Sequence, residues 1–367
     1  MRPAADTART EAEVKERLAL SDFRLGVALF AMAVGSVLAL PFAGWLAGRL
    51  GSDATTRTAG LALCVLLPFP VLAPSLPALM GSLLLFGAAN GMLDVSMNAQ
   101  AIALEDRYRK PILASLHGLY STGGLAGASL AAVAAAGDIP TSSQVLALTV
   151  ILAPTVLVVS RHLLSDATAR DGDGPMLAWP SGALIGLGAL AFFALMAEGA
   201  MGDWTAVFLR EYHGAGLDAA ATGFAGFSLA MAMARFSGDW ARRRWKAPNL
   251  LRAGGIAAGT GMAMALTVPT IFLSVCGFTL FGLGLANMVP IVFAAAGRAP
   301  GMTAGLAIAA VATAGYGGLL AGPPLIGITA EVVGLRLAFV TILLGVLAIA
   351  AFAAIVHQSP NSKSVPG

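Results

Sequence analysis

Apolar stretches follow one another along almost the whole chain, at about 25–48, 58–76, 79–104, 113–136, 143–163, 181–209, 217–241, 249–268, 271–296, 303–328 and 334–357. Each is close to the roughly 20 residues that a helix needs to cross the hydrocarbon core of a bilayer. The pattern predicts an all-α membrane protein with eleven transmembrane helices. A polar segment precedes them at 1–24 and a polar tail follows at 358–367. Between them, "SDATARDGDGPMLAWPS" (164–180) is rich in Asp, Gly and Pro and reads as a linker. It divides a bundle of five spans (25–163) from a bundle of six (181–357).

Composition agrees with the pattern. Hydrophobic residues make up 57% of the chain and charged ones 11%, with a mean hydropathy of +0.82. Soluble domains carry about 25% charged residues. The net charge of +3 matters less than where the cations fall. With the linker on the cytoplasmic side, the loops of that side carry Arg49, Arg57, Arg107, Arg109, Lys110, Arg161, Arg170, Arg242, Arg243, Arg244, Lys246 and Arg298. The opposite loops beyond residue 50 carry only Arg210 and Arg336. Cytoplasmic loops retain Lys and Arg, so this asymmetry predicts a cytoplasmic C-terminus. The basic residues are loop punctuation without interleaved aromatics, so nucleic-acid binding is not expected. Cys64 and Cys276 both lie in apolar runs without ligand spacing and read as buried thiols. There is no P-loop and no metal-ligand cluster, so no cofactor and no enzyme activity are expected.

The two halves repeat. "GWLAGR" (Gly44 to Arg49) and "GDWARR" (Gly238 to Arg243) share G-x-x-A-x-R at an offset of 194. "GAAN" from Gly87 and "GLAN" from Gly284 are offset by 197, and "GGLAG" from Gly123 and "GGLLAG" from Gly317 by 194. Parallel repeats of this kind build many transporter halves, with the site at their interface. Mapped back by 194, the span at 181–209 falls before residue 15, where "MRPAADTARTEAEVKERLALSD" is too polar to cross a membrane. The first half is therefore expected to lack the counterpart of the second half's first helix. Eleven spans with a cytoplasmic C-terminus put the N-terminus outside, against the pull of Arg2, Arg9, Lys15, Arg17 and Arg24.

The two-bundle repeat, the central linker and the G-x-x-A-x-R turns resemble the major facilitator superfamily of secondary transporters. Within it, "VKERLALSDFRLG", "GAANGMLDVSMNAQ", "SLHGLYSTGGLAGA" and "EGAMGDW" are similar to a bacterial sugar-permease-like subgroup, some members of which are described as rhizopine- or fucose-permease-like. The resemblance runs from about Glu13 to His357. It implies twelve spans, alternating access, a substrate cavity between the bundles and a bacterial inner membrane. It also implies that cytoplasmic turns act as gates, which points to Arg49, Arg235, Asp239 and Arg243. The superfamily's usual acidic residue in that turn is replaced by Gly48, whereas the second turn carries Asp239.

Residues 58–93 contain no charge; Asp94 then stands alone until Glu105. Asn90, Asp94 and Asn98 recur every four residues and share a helix face. A charge at the bilayer centre costs at least about 2.5 kcal/mol, so this face should point into protein or a wet cavity. Asp94 is a candidate proton-coupling group; a structural interhelical hydrogen bond is the alternative. His117 and Tyr120 follow in the next span, where His117 can relay protons or pack against a backbone carbonyl. Gly123, Gly124 and Gly127 are expected to make close helix contacts. Glu198 is the one charge in the interior of its span, with Asp203 nearer the outer surface, and is a second proton-coupling candidate. Asn90, Asn98, Tyr120, Trp204, Asn287 and Tyr316 are candidates for the substrate cavity, because sugars pair amides and carboxylates with an aromatic face. For Trp204 the alternative is an interfacial belt residue. Arg235 and Asp239, four residues apart, are expected to pair with each other. "YGGLLAGPPLIG" (Tyr316 to Gly327) should bend or break its helix at the prolines.

These readings converge on a proton-coupled secondary transporter of a small polar solute such as a sugar, acting as a monomer in a lipid bilayer. The alternatives are efflux of an amphipathic compound, or a non-transporting membrane sensor or remnant.

Overall fold

The computed structural model describes residues 14–165 and 182–357. Nearly all of the expected linker, the C-terminal tail and residues 1–13 lie outside the described residues. Each expected apolar stretch is helical, and no strand occurs among the described residues. In chain order the helices are α1 (Asp22–Leu50), α2 (Ser52–Leu66), α3 (Pro68–Leu72), α4 (Leu76–Tyr108), α5 (Leu113–Ala136), α6 (Thr141–Val159) and α7 (Gly182–His213). They continue with α8 (Leu217–Arg244), α9 (Ala247–Thr267), α10 (Ile271–Leu285), α11 (Met288–Ala296), α12 (Ala304–Val333) and α13 (Leu335–Ala351). Among the described residues, seven helical spans are long and apolar enough to cross a membrane, and α13 is apolar but shorter.

Local chemistry sets the ends. Ser21, Thr270 and Thr303 cap α1, α10 and α12 by accepting from the amides of Arg24, Leu273 and Leu306. Gly51 and Gly334 follow α1 and α12 at φ of 95° and 82°, a region that only glycine enters without strain. The chain forms two compact units. One comprises Met1–Leu104 and Leu119–Ala178; the other comprises Glu105–Gly118 and Trp179–Gly367. The short segment joining α4 to α5 thus groups with the C-terminal helices.

In the first unit α1 and α4 touch through backbone. Gly87 and Gly35 leave no room for a Cβ against the carbonyls of Met32 and Leu84, and Ser36 Oγ donates to Gly87 O at 2.8 Å. Gln100 donates to Ser52 Oγ at 2.8 Å and to Leu164 O at 2.7 Å, tying α4 to the start of α2 and the end of the unit. In the second unit α7 lies along α12, and α10 packs on both α8 and α9. Its core is aromatic: Phe208, Phe278 and Phe339 are fully buried, with the Phe208 ring 5.8 Å from Phe278 and 5.2 Å from Phe339.

Three expectations change here. The helix over Pro323 and Pro324 is not broken: α12 runs unbroken from Ala304 to Val333. Its glycines explain this, because Gly315, Gly318 and Gly322 seat the helix directly on α7 at Leu195, Phe192 and Met196. That packing offsets the backbone bonds lost at proline. The break falls instead at Ala286–Asn287, between α10 and α11. Finally, a Cβ at Gly123, Gly124 or Gly127 meets nothing within 4 Å among the described residues, so the close helix contacts expected of them are not seen.

Two glycine pairs, Gly254 with Gly284 and Gly261 with Gly277, bring α9 and α10 into backbone contact. A Cβ on Gly277 would stand 2.6 Å from Gly261 O and 2.8 Å from Ala265 N, both rigid backbone atoms. Gly277→Val should therefore lower stability by about 1–3 kcal/mol, the usual cost of overpacking. Gly123→Ala should leave stability unchanged or raise it slightly. Thermal unfolding in detergent compares them, and an unaffected Gly277→Val protein would contradict this account of the α9–α10 contact.

Candidate functional site

The first amides of any helix have no acceptor inside it. In α5 four in succession are satisfied by two carboxylates from elsewhere. Glu105 Oε1 accepts from Ile112 N at 2.8 Å and Leu113 N at 2.9 Å. Asp239, near the end of α8, accepts from Ala114 N at 3.0 Å and Ser115 N at 2.8 Å, one oxygen to each. Both acids are buried, and the partial positive charge of a helix N-terminus favours them there.

Glu105 is also the hub of an ion-pair cluster. Its oxygens lie 2.8 Å from Arg242 Nη1 and 2.7 Å from Arg298 Nη2. Arg298 continues to Asp106 at 3.1 Å and to the Ala294 carbonyl at 3.2 Å. Burial alone would lower the Arg298 pKa, but the hydrogen bond and charge of Glu105, with Asp106 behind it, leave it raised.

Deeper in the same unit, Arg235 Nη2 donates to both oxygens of Glu198, at 3.2 and 3.4 Å. On α7 Met196, Ala197, Ala200 and Met201 are each at most 2% exposed, while Glu198 itself is 26% exposed. Arg235 Nε reaches the carbonyl of Ala286 at 3.5 Å. That carbonyl is available because Pro290, four residues on, has no N–H to return to it. Asn287, at the helix break, donates to Ala234 O at 3.1 Å. Its Oδ1 is buried with no hydrogen-bond donor among the described residues and occupies the space a Cβ on Gly238 would need. Gly238 is thus required by the tertiary packing of α8 against the break.

The structure corrects one expected pairing and places the residues around it. Arg235 pairs with Glu198 rather than with Asp239, because both oxygens of Asp239 are taken by the α5 amides. Arg243 projects as an exposed residue, and its neighbour Arg242 turns inward to Glu105. Asn287 serves the packing of α8 against the break. Trp204 packs on α12, where its ring would lie 3.2 Å from a Cβ on Gly327, and its buried indole N–H finds no acceptor among the described residues.

The remaining candidates fall as follows. In the first unit, Asp94 and Asn98 meet directly: Asn98 Nδ2 donates to Asp94 O at 2.7 Å and to Asp94 Oδ1 at 3.2 Å, realising the four-residue spacing. Asn90 lies half-buried one turn earlier, and Tyr120 is exposed on α5. Arg49 ends α1 with its guanidinium 5.3 Å from the Trp45 ring centre. In the second unit, His117 packs edge-on to Phe293 with ring centres 6.4 Å apart, and Tyr316 is half-buried on α12. Glu105, Arg242 and Arg298 were not foreseen. Glu105 and Arg298 sit in runs that read as loop punctuation, and only the position of an acid seven residues ahead of Ile112 hinted at a cap.

A helical membrane protein of two compact units, its buried acids among the described residues held by arginines or helix amides, is the class these observations define. The profile of the Major Facilitator Superfamily matches residues 10–304. An uncharacterized MFS-type transporter of Yersinia pestis is 36% identical over 340 residues, covering 92% of this chain and 88% of that protein. Membrane protein MosC of Rhizobium meliloti is 34% identical over 334 residues, covering 90% of this chain and 81% of MosC. The solved structure of FucP, the Escherichia coli fucose:proton symporter, superposes with a TM-score of 0.76 at 15% identity, covering 96% of each chain. The chain belongs to the Major Facilitator Superfamily.

Removing a member of the α5 cap has a graded cost. Glu105→Ala should destabilise by about 2–3 kcal/mol, below the figure for a fully buried pair because Arg298 is 33% exposed. Asp239→Ala should cost about 1–2 kcal/mol as the loss of a cap. Arg243→Ala, on an exposed arginine, should stay within about 0.5 kcal/mol. Urea unfolding of the three variants checks the order, and a costly Arg243→Ala would contradict the exposed position of that side chain.

Proposed function

We propose that this protein is a secondary transporter coupling proton movement to the passage of a small polar solute, a sugar or sugar derivative, by alternating access across a bacterial inner membrane. The observation that carries the reading is the Glu198–Arg235 pair. In so apolar a setting a charge is tolerated mainly as part of a pair or a solvated path. Protonating Glu198 cancels its charge and loosens its hold on Arg235. A proton on this carboxylate therefore changes which arrangement of α7, α8 and the α10–α11 break is favoured. A coupling residue has to have this property.

Asp94 is the second candidate coupling group, held by Asn98 on α4. The α5 cap supports a gating role for Asp239: a state that withdraws Asp239 from Ala114 and Ser115 exposes two amides and an acid that must be rehydrated. Arg49, Arg235 and Arg243 keep their proposed conformational role, with Arg242 added to them. The positive-inside distribution supports a cytoplasmic C-terminus. The likeness of fold to a fucose:proton symporter, and the family membership, agree with uptake of a hydroxylated solute.

The test is transport in proteoliposomes, with a panel of labelled hexoses, deoxyhexoses and inositols and an imposed pH gradient. Glu198→Gln should abolish gradient-driven accumulation while sparing counterflow exchange. Asp94→Asn, assayed beside it, decides whether one carboxylate or both carry the coupling. Accumulation at wild-type level by Glu198→Gln would remove that residue from the coupling role. Export of dyes without sugar uptake would replace the solute class.

A further inference from the structure

At the end of α4, beside the cluster around Glu105, lies a cleft of about 360 Å³. Glu105, Asp106, Arg109, Lys110, Arg242 and Arg298 line it. The charges there do not balance. Both oxygens of Glu105 are occupied by Arg242, Arg298 and the α5 amides, and Asp106 accepts from Arg298. Arg109 and Lys110 are exposed and, among the described residues, have no acidic partner. Four cations against two acids leave two positive charges facing one concave surface.

The backbone points the same way. Arg109 sits at φ 52°, in the left-handed region where a Cβ is strained. Lys110 N donates back to Glu105 O at 3.3 Å, which makes Arg109 the left-handed residue of a helix cap that usually has glycine there. The chain thus places a guanidinium where glycine would relieve strain, and that residue lines the cleft. Strain that persists in a fold is a reason to look for a use of the side chain.

We propose that this cleft binds a phosphate-bearing anion, held by the Arg109 guanidinium with Lys110 as a point charge. Guanidinium groups match phosphate oxygens in pairs, and an ammonium adds unspecific attraction. The site lies at the Arg-rich helix ends, where a basic pocket meets the headgroup layer of an anionic membrane. An anionic lipid headgroup and free phosphate share this chemistry. Either one would neutralise the two excess charges of the α4–α5 connection beside the Glu105 cluster, and so steady residues 105–118. The site is separate from the Glu198–Arg235 pair and independent of the solute carried.

The experiment uses the full chain in nanodiscs of phosphatidylcholine and reads the melting temperature. One arm replaces part of the lipid with phosphatidylglycerol in steps; the other keeps phosphatidylcholine and titrates inorganic phosphate. A saturable rise in the first arm alone assigns a lipid headgroup, and a rise in the second assigns the free anion. The double variant Arg109→Gly/Lys110→Gln should weaken the response roughly thirtyfold, from about fivefold per cation at low salt. Glycine suits the backbone at 109, so the variant should melt no lower than the wild type without anion. Asp106→Asn, which removes the repelling carboxylate at the mouth, should strengthen the response severalfold. No rise with either anion would overturn the proposal, and so would a rise undiminished in the double variant.

Discussion

Four amides at the start of α5 have no acceptors in their own helix, and meeting that need organises the second unit. Glu105 and Asp239 take two each. To reach them Asp239 must bring α8 against the beginning of α5, and this approach fixes its neighbours. Gly238 becomes a position without room for a side chain, since Asn287 and Ala114 fill the space beside it. Asn287 in turn stands at the break between α10 and α11, with its amide on the backbone of α8. The break and Pro290 expose the Ala286 carbonyl to Arg235, one turn before Asp239 on α8. One unmet backbone requirement is thus continuous with the charge pair at the heart of the unit.

The two charge clusters of this unit differ in kind. Glu105 is held by two arginines and two amides, with little freedom to change partners. In the Glu198–Arg235 pair one nitrogen spans both carboxylate oxygens, and the acid is 26% exposed. Buried pairs add little net stability, because desolvation offsets their attraction. Their value lies in what changes when one member is neutralised.

Small residues let the helices approach closely enough for these polar contacts. The repeat "GAAN"/"GLAN" carries this into both units: Gly87 meets α1 at the Met32 carbonyl, and Gly284 meets α9 at Ala258 and Gly254. In a membrane, helices have no strong hydrophobic drive to associate, so close backbone packing supplies much of the contact energy. The α7–α12 seam at Gly315, Gly318 and Gly322 uses the same device, and it holds two prolines inside an unbroken helix.

Hydropathy and punctuation were sufficient for the helices, their order, the repeat and the family resemblance, because each depends on residues close in sequence. The Asp94–Asn98 contact was legible for the same reason, being one helical turn long. Partner choice was not legible. Arg235 and Asp239 share a helix face, yet their partners come from α7 and α5, and Glu105 finds arginines 137 and 193 residues away. Likewise a Gly-Pro-Pro run reads as a breaker until the helix packed beside it is known. The sequence by itself determined where the chain crosses an apolar medium and how rarely charge enters it. Only the tertiary structure decided which charges meet, because in a low-dielectric interior the nearest satisfied partner wins, and nearness there is set by helix packing rather than by distance along the chain.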